Sequence, residues 1–141
     1  MATGLSCRQL VPLLTVTDIE RSVAFYVDRL GFQVREKWEP DGRLSWCWLE
    51  RDAIAVMLQQ HCFDEDGPAE GRGRGIILYC ICEDADALHA DLTQRGLTLP
   101  PPQVAFYGMK QLYVDDPDGY HLCFESRIAQ TETTQAAFAI R

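Results

Sequence analysis

The sequence predicts an α+β protein that consists of two successive β-α-β-β-β modules. Strand-length apolar runs alternate with helices that have clear capping residues, and the same order of strand, cap, helix and terminating glycine occurs twice. An offset of 66 residues aligns residues 11–18 with residues 77–84, so an internal repeat is the simplest explanation. The length of 141 residues, with 47% hydrophobic and 24% charged residues, suits one compact domain.

The first module is predicted from about residue 8 to residue 60. The apolar run Leu10–Val16 predicts the first strand, and Pro12 favours a position at a sheet edge or at the strand start. A helix is predicted over Asp18–Leu30, because Thr17 or Asp18 can cap its start and Gly31 ends it. Three further strands are predicted over Phe32–Lys37, Leu44–Glu50 and Ala53–Gln60, with Arg51-Asp52 as the turn between the last two.

The second module is predicted from about residue 76 to residue 126. Residues 61–75 contain four glycines, which indicates a linker, and a tail of uncertain conformation follows over 127–141. In this module the strand Ile76–Cys82 precedes a helix over Asp84–Arg95 that ends at Gly96. The remaining strand candidates are Leu97–Leu99, Val104–Tyr107, Gln111–Val114 and Tyr120–Ser126.

Composition limits the possible partners and the compartment. The net charge of −8 disfavours nucleic acid and favours cationic ligands. No stretch reaches 18 apolar residues and no signal peptide is recognisable at the N-terminus, so we expect a cytoplasmic protein without a membrane span. The six cysteines then act as free thiols. Cys80 and Cys82 could form half of a metal site, but no second pair has zinc spacing, which favours two thiols on one strand face.

Four stretches of the chain resemble the vicinal oxygen chelate superfamily, the group of glyoxalases, bleomycin-resistance proteins and extradiol dioxygenases. The D-P-D-G turn at residues 116–119 and a D-x-x-x-S-x-x-F-Y helix that ends in L-G-F make the combination specific. The stretches are Val11–Phe32, Ala53–Gln60, Ile76–Gly96 and Tyr107–Glu125. The resemblance implies a cupped, U-shaped mixed sheet with helices on its outer face and a ligand or metal on its concave face. It also implies a homodimer, since many relatives dimerise.

The resemblance also indicates where a metal would bind. In metal-dependent members, each module supplies two His, Glu or Gln ligands, from its first and its last strand. These positions correspond here to Val11, Val56, Ile77 and Cys123. None of them offers an oxygen or imidazole donor, so we expect neither a metal nor another cofactor. This pattern is similar to that of the bleomycin-resistance branch, which binds its ligand without metal or chemistry.

Three polar residues alternate along the last predicted strand. His121, Cys123 and Glu125 therefore share one face, which is the concave face if Cys123 occupies the ligand position. His121 and Glu125 then bind the ligand or, alternatively, contact only solvent. His121 and Cys123 are a poor nucleophile–base pair, because neither side chain is directed at the other.

Aromatic residues provide candidate walls for the ligand. Trp46 and Trp48 share a strand face and either line the cavity or pack against a helix or a partner chain, depending on the length of the following turn. By resemblance, the region of Phe106, Tyr107 and Tyr113 lines the ligand groove. Tyr113 lies opposite Cys123 if the D-P-D-G segment forms a three-residue loop.

The function predicted from these residues is metal-free binding of a small aromatic or cationic molecule. The alternatives are a lyase, isomerase or oxygenase of the glyoxalase or dioxygenase type that uses a non-inherited site, and a structural dimer with a vestigial cavity.

Overall fold

The structure is a computed structural model that describes residues 4–128, apart from the side chain of residue 63. Within these residues, eight strands form two four-stranded sheets. Sheet A contains β1 (Leu13–Val16), β2 (Gln33–Trp38), β3 (Trp46–Arg51) and β4 (Ile54–Gln60). Sheet B contains β5 (Ile77–Ile81), β6 (Gln103–Val104), β7 (Met109–Asp115) and β8 (His121–Arg127).

The two sheets have the same topology. The strand order is β1-β4-β3-β2 in sheet A and β5-β8-β7-β6 in sheet B. β1 pairs with β4 and β5 with β8 in parallel, whereas the other neighbours are antiparallel, so both sheets are mixed. The expected α+β class with two β-α-β-β-β modules is confirmed. β1 and β5 are edge strands, because each has a single hydrogen-bonded neighbour.

Each module contains one main helical segment after its first strand. In the first module, α1 (Ile19–Ala24) continues into a π-helical turn over Phe25–Arg29, where a single helix over 18–30 was expected. Asp18 caps α1 by accepting a hydrogen bond from the backbone N–H of Arg21. A 3-10 turn spans Pro40–Gly42 and α2 spans Phe63–Asp66. In the second module, α3 (Ala85–Gln94) is capped by Asp84.

One part of the second module differs from the strand prediction. Between α3 and β7 the structure contains only the short β6, and neither Leu97–Leu99 nor the residues after Val104 form a strand. Three consecutive prolines, Pro100–Pro102, lack the N–H groups that a strand ladder needs. Leu97 and Leu99 pack against the core instead. Phe106 and Tyr107 lie in the turn between β6 and β7.

The helices cover one face of each sheet and leave the other face open. The core contains strand residues that lie two positions apart, on the faces that the helices cover. Its largest fully buried members include Tyr26, Phe32, Leu49, Leu58, Leu112 and Phe124. We call the opposite surfaces the open faces. In sheet A the open face carries Leu13, Thr15, Trp46, Trp48, Met57 and Gln59. In sheet B it carries Ile77, Tyr79, Gln111, Tyr113, His121, Cys123 and Glu125.

The segment between the modules is more ordered than a simple linker. It contains α2, and it places the guanidinium of Arg72 3.1 Å from a carboxylate oxygen of Asp118 in the β7–β8 turn. Both side chains are almost completely buried. Asp118 also accepts hydrogen bonds from the backbone N–H and the hydroxyl of Thr17, so this turn packs against the first module. Of the tail expected over 127–141, residues 129–141 lie outside the described residues.

Candidate functional site

The turn between β3 and β4 determines which face the tryptophans occupy. Arg51 pairs with Ile54, so the turn residues are Asp52 and Ala53 rather than Arg51 and Asp52. Asp52 has a φ of 51°, a left-handed conformation that aspartate tolerates better than most residues. Cys47 and Leu49 on β3 are fully buried on the helix-covered face. Trp46 and Trp48 alternate with them, so both lie on the open face.

The three tryptophans of the chain lie on neighbouring strands. Trp46 is the register partner of Trp38 on β2, and Trp48 is the register partner of Met57 on β4. The indole N–H of Trp48 donates a 2.9 Å hydrogen bond to Glu50. Trp38 has 60% of its surface exposed. Sheet A therefore presents an aromatic surface that solvent reaches and that is suited to stacking.

The register also corrects one of the inherited metal positions. Val56 is the register partner of Leu49 and is buried in the helix-covered core, so it does not lie on the open face. The next residue, Met57, is the register partner of Leu13, and Cys123 is the register partner of Tyr79. The offset of 66 residues relates Leu13 to Tyr79 and Met57 to Cys123, so Met57 is the counterpart of Cys123 in the first module. The position is therefore Met57 rather than Val56, whose assignment from the resemblance had no turn motif to anchor it.

The metal positions with this correction do not fit the hard divalent cations that the superfamily uses. Val11, Met57, Ile77 and Cys123 supply only a thioether and a thiol. Burial raises the pKa of the Cys123 thiol, which disfavours the thiolate form that binds metals. Among residues 4–128, no group of three or more His, Cys, Asp or Glu side chains is placed to hold a metal ion.

The open face of sheet B carries a cluster of phenol, amide and carboxyl groups, which we call the tyrosine cluster. Cys123 on β8 is the register partner of both Tyr79 and Tyr113, so the position expected for Tyr113 is confirmed. Gln111 is the register partner of Glu125. The cluster consists of Tyr79, Tyr107, Gln111, Tyr113, Cys123 and Glu125.

Hydrogen bonds connect the members of the tyrosine cluster. The Tyr107 hydroxyl donates to Oε2 of Glu125 at 3.3 Å, and Nε2 of Gln111 donates to the same oxygen at 3.4 Å. The Tyr113 hydroxyl donates to Oε1 of Gln111 at 3.3 Å and lies 3.4 Å from the Tyr79 hydroxyl. Gln111 therefore links all three phenols to the carboxylate.

Glu125 is the most unusual member of the cluster. Only 6% of its surface is exposed, and among residues 4–128 it has no ion-pair partner. A buried carboxylate without a cation is costly, because neutral donors offset only part of its lost hydration.

The electrostatics keep the phenols of Tyr107 and Tyr113 and the thiol of Cys123 protonated near neutral pH. Desolvation and the negative charge of Glu125 raise the pKa of Tyr107 to about 12. The hydrogen bond with Tyr79, together with desolvation, raises the pKa of Tyr113. Cys123 is fully buried and its pKa is also raised, so it lacks the exposure and the thiolate character of a nucleophile.

His121 and Phe106 lie at the margin of the cluster. Nδ1 of His121 is 2.6 Å from a carboxylate oxygen of Asp115, and both side chains are exposed. His121 is therefore directed at Asp115 and does not form a dyad with Cys123. Phe106 is 74% exposed, and its ring makes an edge contact with that of Tyr107 at 5.2 Å.

An apolar cleft of about 400 Å³ adjoins the cluster. It lies between the first strands of the two modules, and Tyr79 is shared between the cleft and the cluster. Its other lining residues include Pro12, Phe32, Ile54, Val56, Leu78 and Leu122. A second cavity of about 640 Å³ contains Arg51, Cys82 and Asp91 and none of the predicted site residues.

The sequence analysis missed two residues of the cluster. Tyr79 stands in the apolar run of β5 and Gln111 begins the strand candidate Gln111–Val114, and neither was considered as a site residue. Both follow from alternation: Tyr79 is two residues after Ile77, and Gln111 is two residues before Tyr113.

Comparison with protein-family models gives a match over residues 8–124 to the Glyoxalase/Bleomycin resistance protein/Dioxygenase superfamily. The chain belongs to this superfamily. The match includes all of the strands described here except the end of β8. No significant match exists among curated proteins. Among the described residues of this superfamily member, no helix is long and apolar enough to cross a membrane.

Several solved structures share the fold. A bleomycin-binding protein from Streptomyces verticillus, complexed with copper(II)-bleomycin, has a TM-score of 0.68 and 21% identity, with 88% of this chain and 99% of that chain covered. TioX from Micromonospora sp. ML1 has a TM-score of 0.69 and 21% identity, over 86% and 100%. A superfamily protein from Nocardioides has a TM-score of 0.68 and 18% identity, over 91% and 89%.

Proposed function

We propose that this superfamily member binds a small aromatic or cationic molecule on the open faces of its sheets, without a resident metal ion. The observation that carries the proposal is the placement of the aromatic residues. Trp38, Tyr79, Tyr107 and Tyr113 are between 46% and 60% exposed. Large aromatic side chains gathered on an uncovered surface indicate a binding site.

Two further observations support binding rather than metal-dependent chemistry. The residues at the inherited metal positions are aliphatic or sulfur-containing, and the thiol of Cys123 is buried and protonated. Bleomycin-binding proteins are among the structural neighbours, one of them complexed with bleomycin itself. Sequestration of such a ligand requires only affinity, and aromatic stacking supplies part of it.

The proposal includes a homodimer in the cytoplasm. β1 and β5 are edge strands with exposed apolar side chains, Leu13 at 45% and Ile81 at 65%. Exposed edges of this kind favour pairing with a second chain, which would also enclose the shallow open faces. All six cysteines are free thiols, which supports a reducing compartment.

A ligand screen on chelator-treated protein tests the proposed function. The compounds are planar aromatic cations, neutral aromatics and aromatic anions, with metal-free bleomycin and copper(II)-bleomycin as two further members. We expect cationic and neutral aromatics to quench the tryptophan fluorescence saturably, with a Kd that EDTA does not change. Anions should bind more weakly, because the protein carries a net charge of −8.

Two outcomes would contradict the proposal. Binding of no compound by folded protein would remove the binding function. Preferential binding of anionic thioesters such as glutathione adducts, together with their turnover, would favour the enzyme alternative. An aliphatic amine without a ring is the matched control, since it should leave the tryptophan fluorescence unchanged while remaining cationic.

A further inference from the structure

We infer that the tyrosine cluster is a subsite for a protonated amine, with the carboxylate of Glu125 as counter-ion and the phenol oxygens as additional acceptors. The inference rests on the proposed function, because the amine is part of the bound molecule. It names the position and the chemistry of the cationic group, which the aromatic surface of sheet A does not.

The hydrogen-bonding groups of the cluster are unbalanced. The phenols of Tyr79, Tyr107 and Tyr113 supply one donor each, the amide of Gln111 supplies two and the thiol of Cys123 supplies one weak donor, which gives about six donors. The carboxylate alone accepts about four hydrogen bonds, and the phenol and amide oxygens accept several more. A ligand that brings N–H donors completes this network, whereas a ligand that brings only acceptors does not.

The charge of Glu125 is also uncompensated within the described part of the chain. Within residues 4–128, Oε2 accepts two hydrogen bonds from neutral groups, at 3.3 and 3.4 Å, and Oε1 accepts none. Among the described residues, Lys110 binds Asp86 on the helix-covered side and His121 contacts Asp115. Arg127, the exposed last residue of the same strand, forms no ion pair with Glu125 within residues 4–128. Within residues 4–128 no cation neutralises this carboxylate, and the proposed amine would supply the missing positive charge.

The depth of the cluster suits a small polar head group. Tyr79, Tyr107 and Tyr113 are each about half exposed, whereas Glu125 beneath them is almost completely buried. A protonated amine that enters between the phenols reaches Oε1 of Glu125. A trimethylammonium group has the same charge but no N–H, so it cannot satisfy the acceptors.

Three naphthyl probes of equal length separate these contributions. They are 2-(2-naphthyl)ethylamine, its N,N,N-trimethylammonium analogue and 2-(2-naphthyl)ethanol, and their affinities are measured by calorimetry at pH 7. We expect the amine to bind at least about tenfold more tightly than the alcohol, because a hydrogen bond between charged groups contributes about that factor to the affinity. The trimethylammonium compound should fall between them. The amine, unlike the alcohol, should shift the side-chain amide resonances of Gln111 in a ¹H–¹⁵N spectrum.

Two carboxylate variants provide the matched comparison. E125Q should weaken amine binding about tenfold and leave the affinity for the alcohol within about twofold. D115N makes the same change in net charge at an exposed carboxylate near the edge of the same sheet face, and should change the affinity for the amine less than twofold. The Gln111 shifts in the parent protein keep the test valid if E125Q folds poorly.

The failures of the two proposals are distinguishable. Equal affinities for the amine and the alcohol, or an equal loss in D115N and E125Q, overturn the amine subsite while the proposed function stands. Equal binding of the amine and the trimethylammonium compound overturns the role of the N–H donors. If the amine leaves Gln111 unshifted, the subsite is overturned whether or not the naphthyl ring binds. Binding of no aromatic compound at all overturns the proposed function as well.

Discussion

The hydroxyl of Tyr26 donates a 2.9 Å hydrogen bond to Oδ2 of Asp116, and this bond joins the two modules across 90 residues of sequence. Tyr26 is completely buried and Asp116 is 5% exposed. The other oxygen of Asp116 accepts the backbone N–H groups of Asp118 and Tyr120. The D-P-D-G segment is therefore both a hairpin turn and a contact between the modules.

Tyr26→Phe should destabilise the protein, because it leaves Oδ2 of a buried carboxyl without its donor. We expect the free energy of unfolding to fall by about 1.5–3 kcal/mol, measured by urea denaturation at pH 7. Tyr79→Phe removes the hydroxyl of a half-exposed residue and should change the free energy of unfolding by less than ~0.5 kcal/mol. Equal effects of the two substitutions would show that the Tyr26–Asp116 bond contributes nothing particular to stability.

The buried thiols predict a loss of stability in alkaline solution. Burial raises the pKa of Cys47 to about 11 and that of Cys80 to about 12. Between pH 9 and these values the unfolded chain releases thiol protons that the folded chain retains, so the free energy of unfolding decreases as the pH rises. Urea denaturation from pH 8 to pH 11 measures this slope.

A cysteine variant isolates the contribution of one thiol. Cys80→Ala should reduce the slope of unfolding free energy against pH, whereas Cys7→Ala should not, since Cys7 is exposed. Stability that stays constant up to pH 11 would contradict the burial of these thiols.

The residues at the inherited metal positions predict a protein that purifies without a metal ion. Val11, Met57, Ile77 and Cys123 lack oxygen and imidazole donors, so elemental analysis should find no stoichiometric Ni, Zn, Fe or Mn. EDTA should leave the melting temperature unchanged. One ion per chain, with a lower melting temperature after chelation, would reveal a site that these residues do not explain.

The exposed edge of sheet B predicts a dimer that a single charge can weaken. Light scattering at micromolar concentration should give twice the mass of the chain. We expect the dimer interface to bury more than ~1,200 Å² in total. Ile81→Lys on β5 should shift the protein towards the monomer. Val104→Lys on β6, at the opposite edge of sheet B, should leave the dimer intact. A monomeric parent protein would refute the assembly.

Turn chemistry explains how much of the site could be predicted. The D-P-D-G segment is a strong hairpin signal, and the pairing of Tyr113 with Cys123 that it predicts for a three-residue loop is the one observed. The Arg51-Asp52 segment contains no proline or glycine that would fix the geometry of its turn. No turn motif anchored the assignment of Val56 either, and the register places Val56 in the core and Met57 on the open face. A register error of one residue reverses every side chain of a strand.

Contacts between distant segments could not be predicted from local pattern. Arg72 lies in a glycine-rich stretch with the composition of a loop, and nothing near it in sequence indicates that it reaches Asp118. Trp46 and Trp48 could be placed on one face but not on a particular face. Their position depends on the same turn, and on helices that cover the opposite side of the sheet.

The affinity of Trp48 variants for the tightest aromatic compound from the screen tests the central claim most directly. The claim is that the open faces bind the ligand, so loss of the indole in Trp48→Ala should weaken binding at least about tenfold. Trp48→Phe keeps an aromatic ring and should retain most of the affinity. Equal Kd values for the parent and both variants would contradict the claim, because the ligand would then bind away from the open face of sheet A.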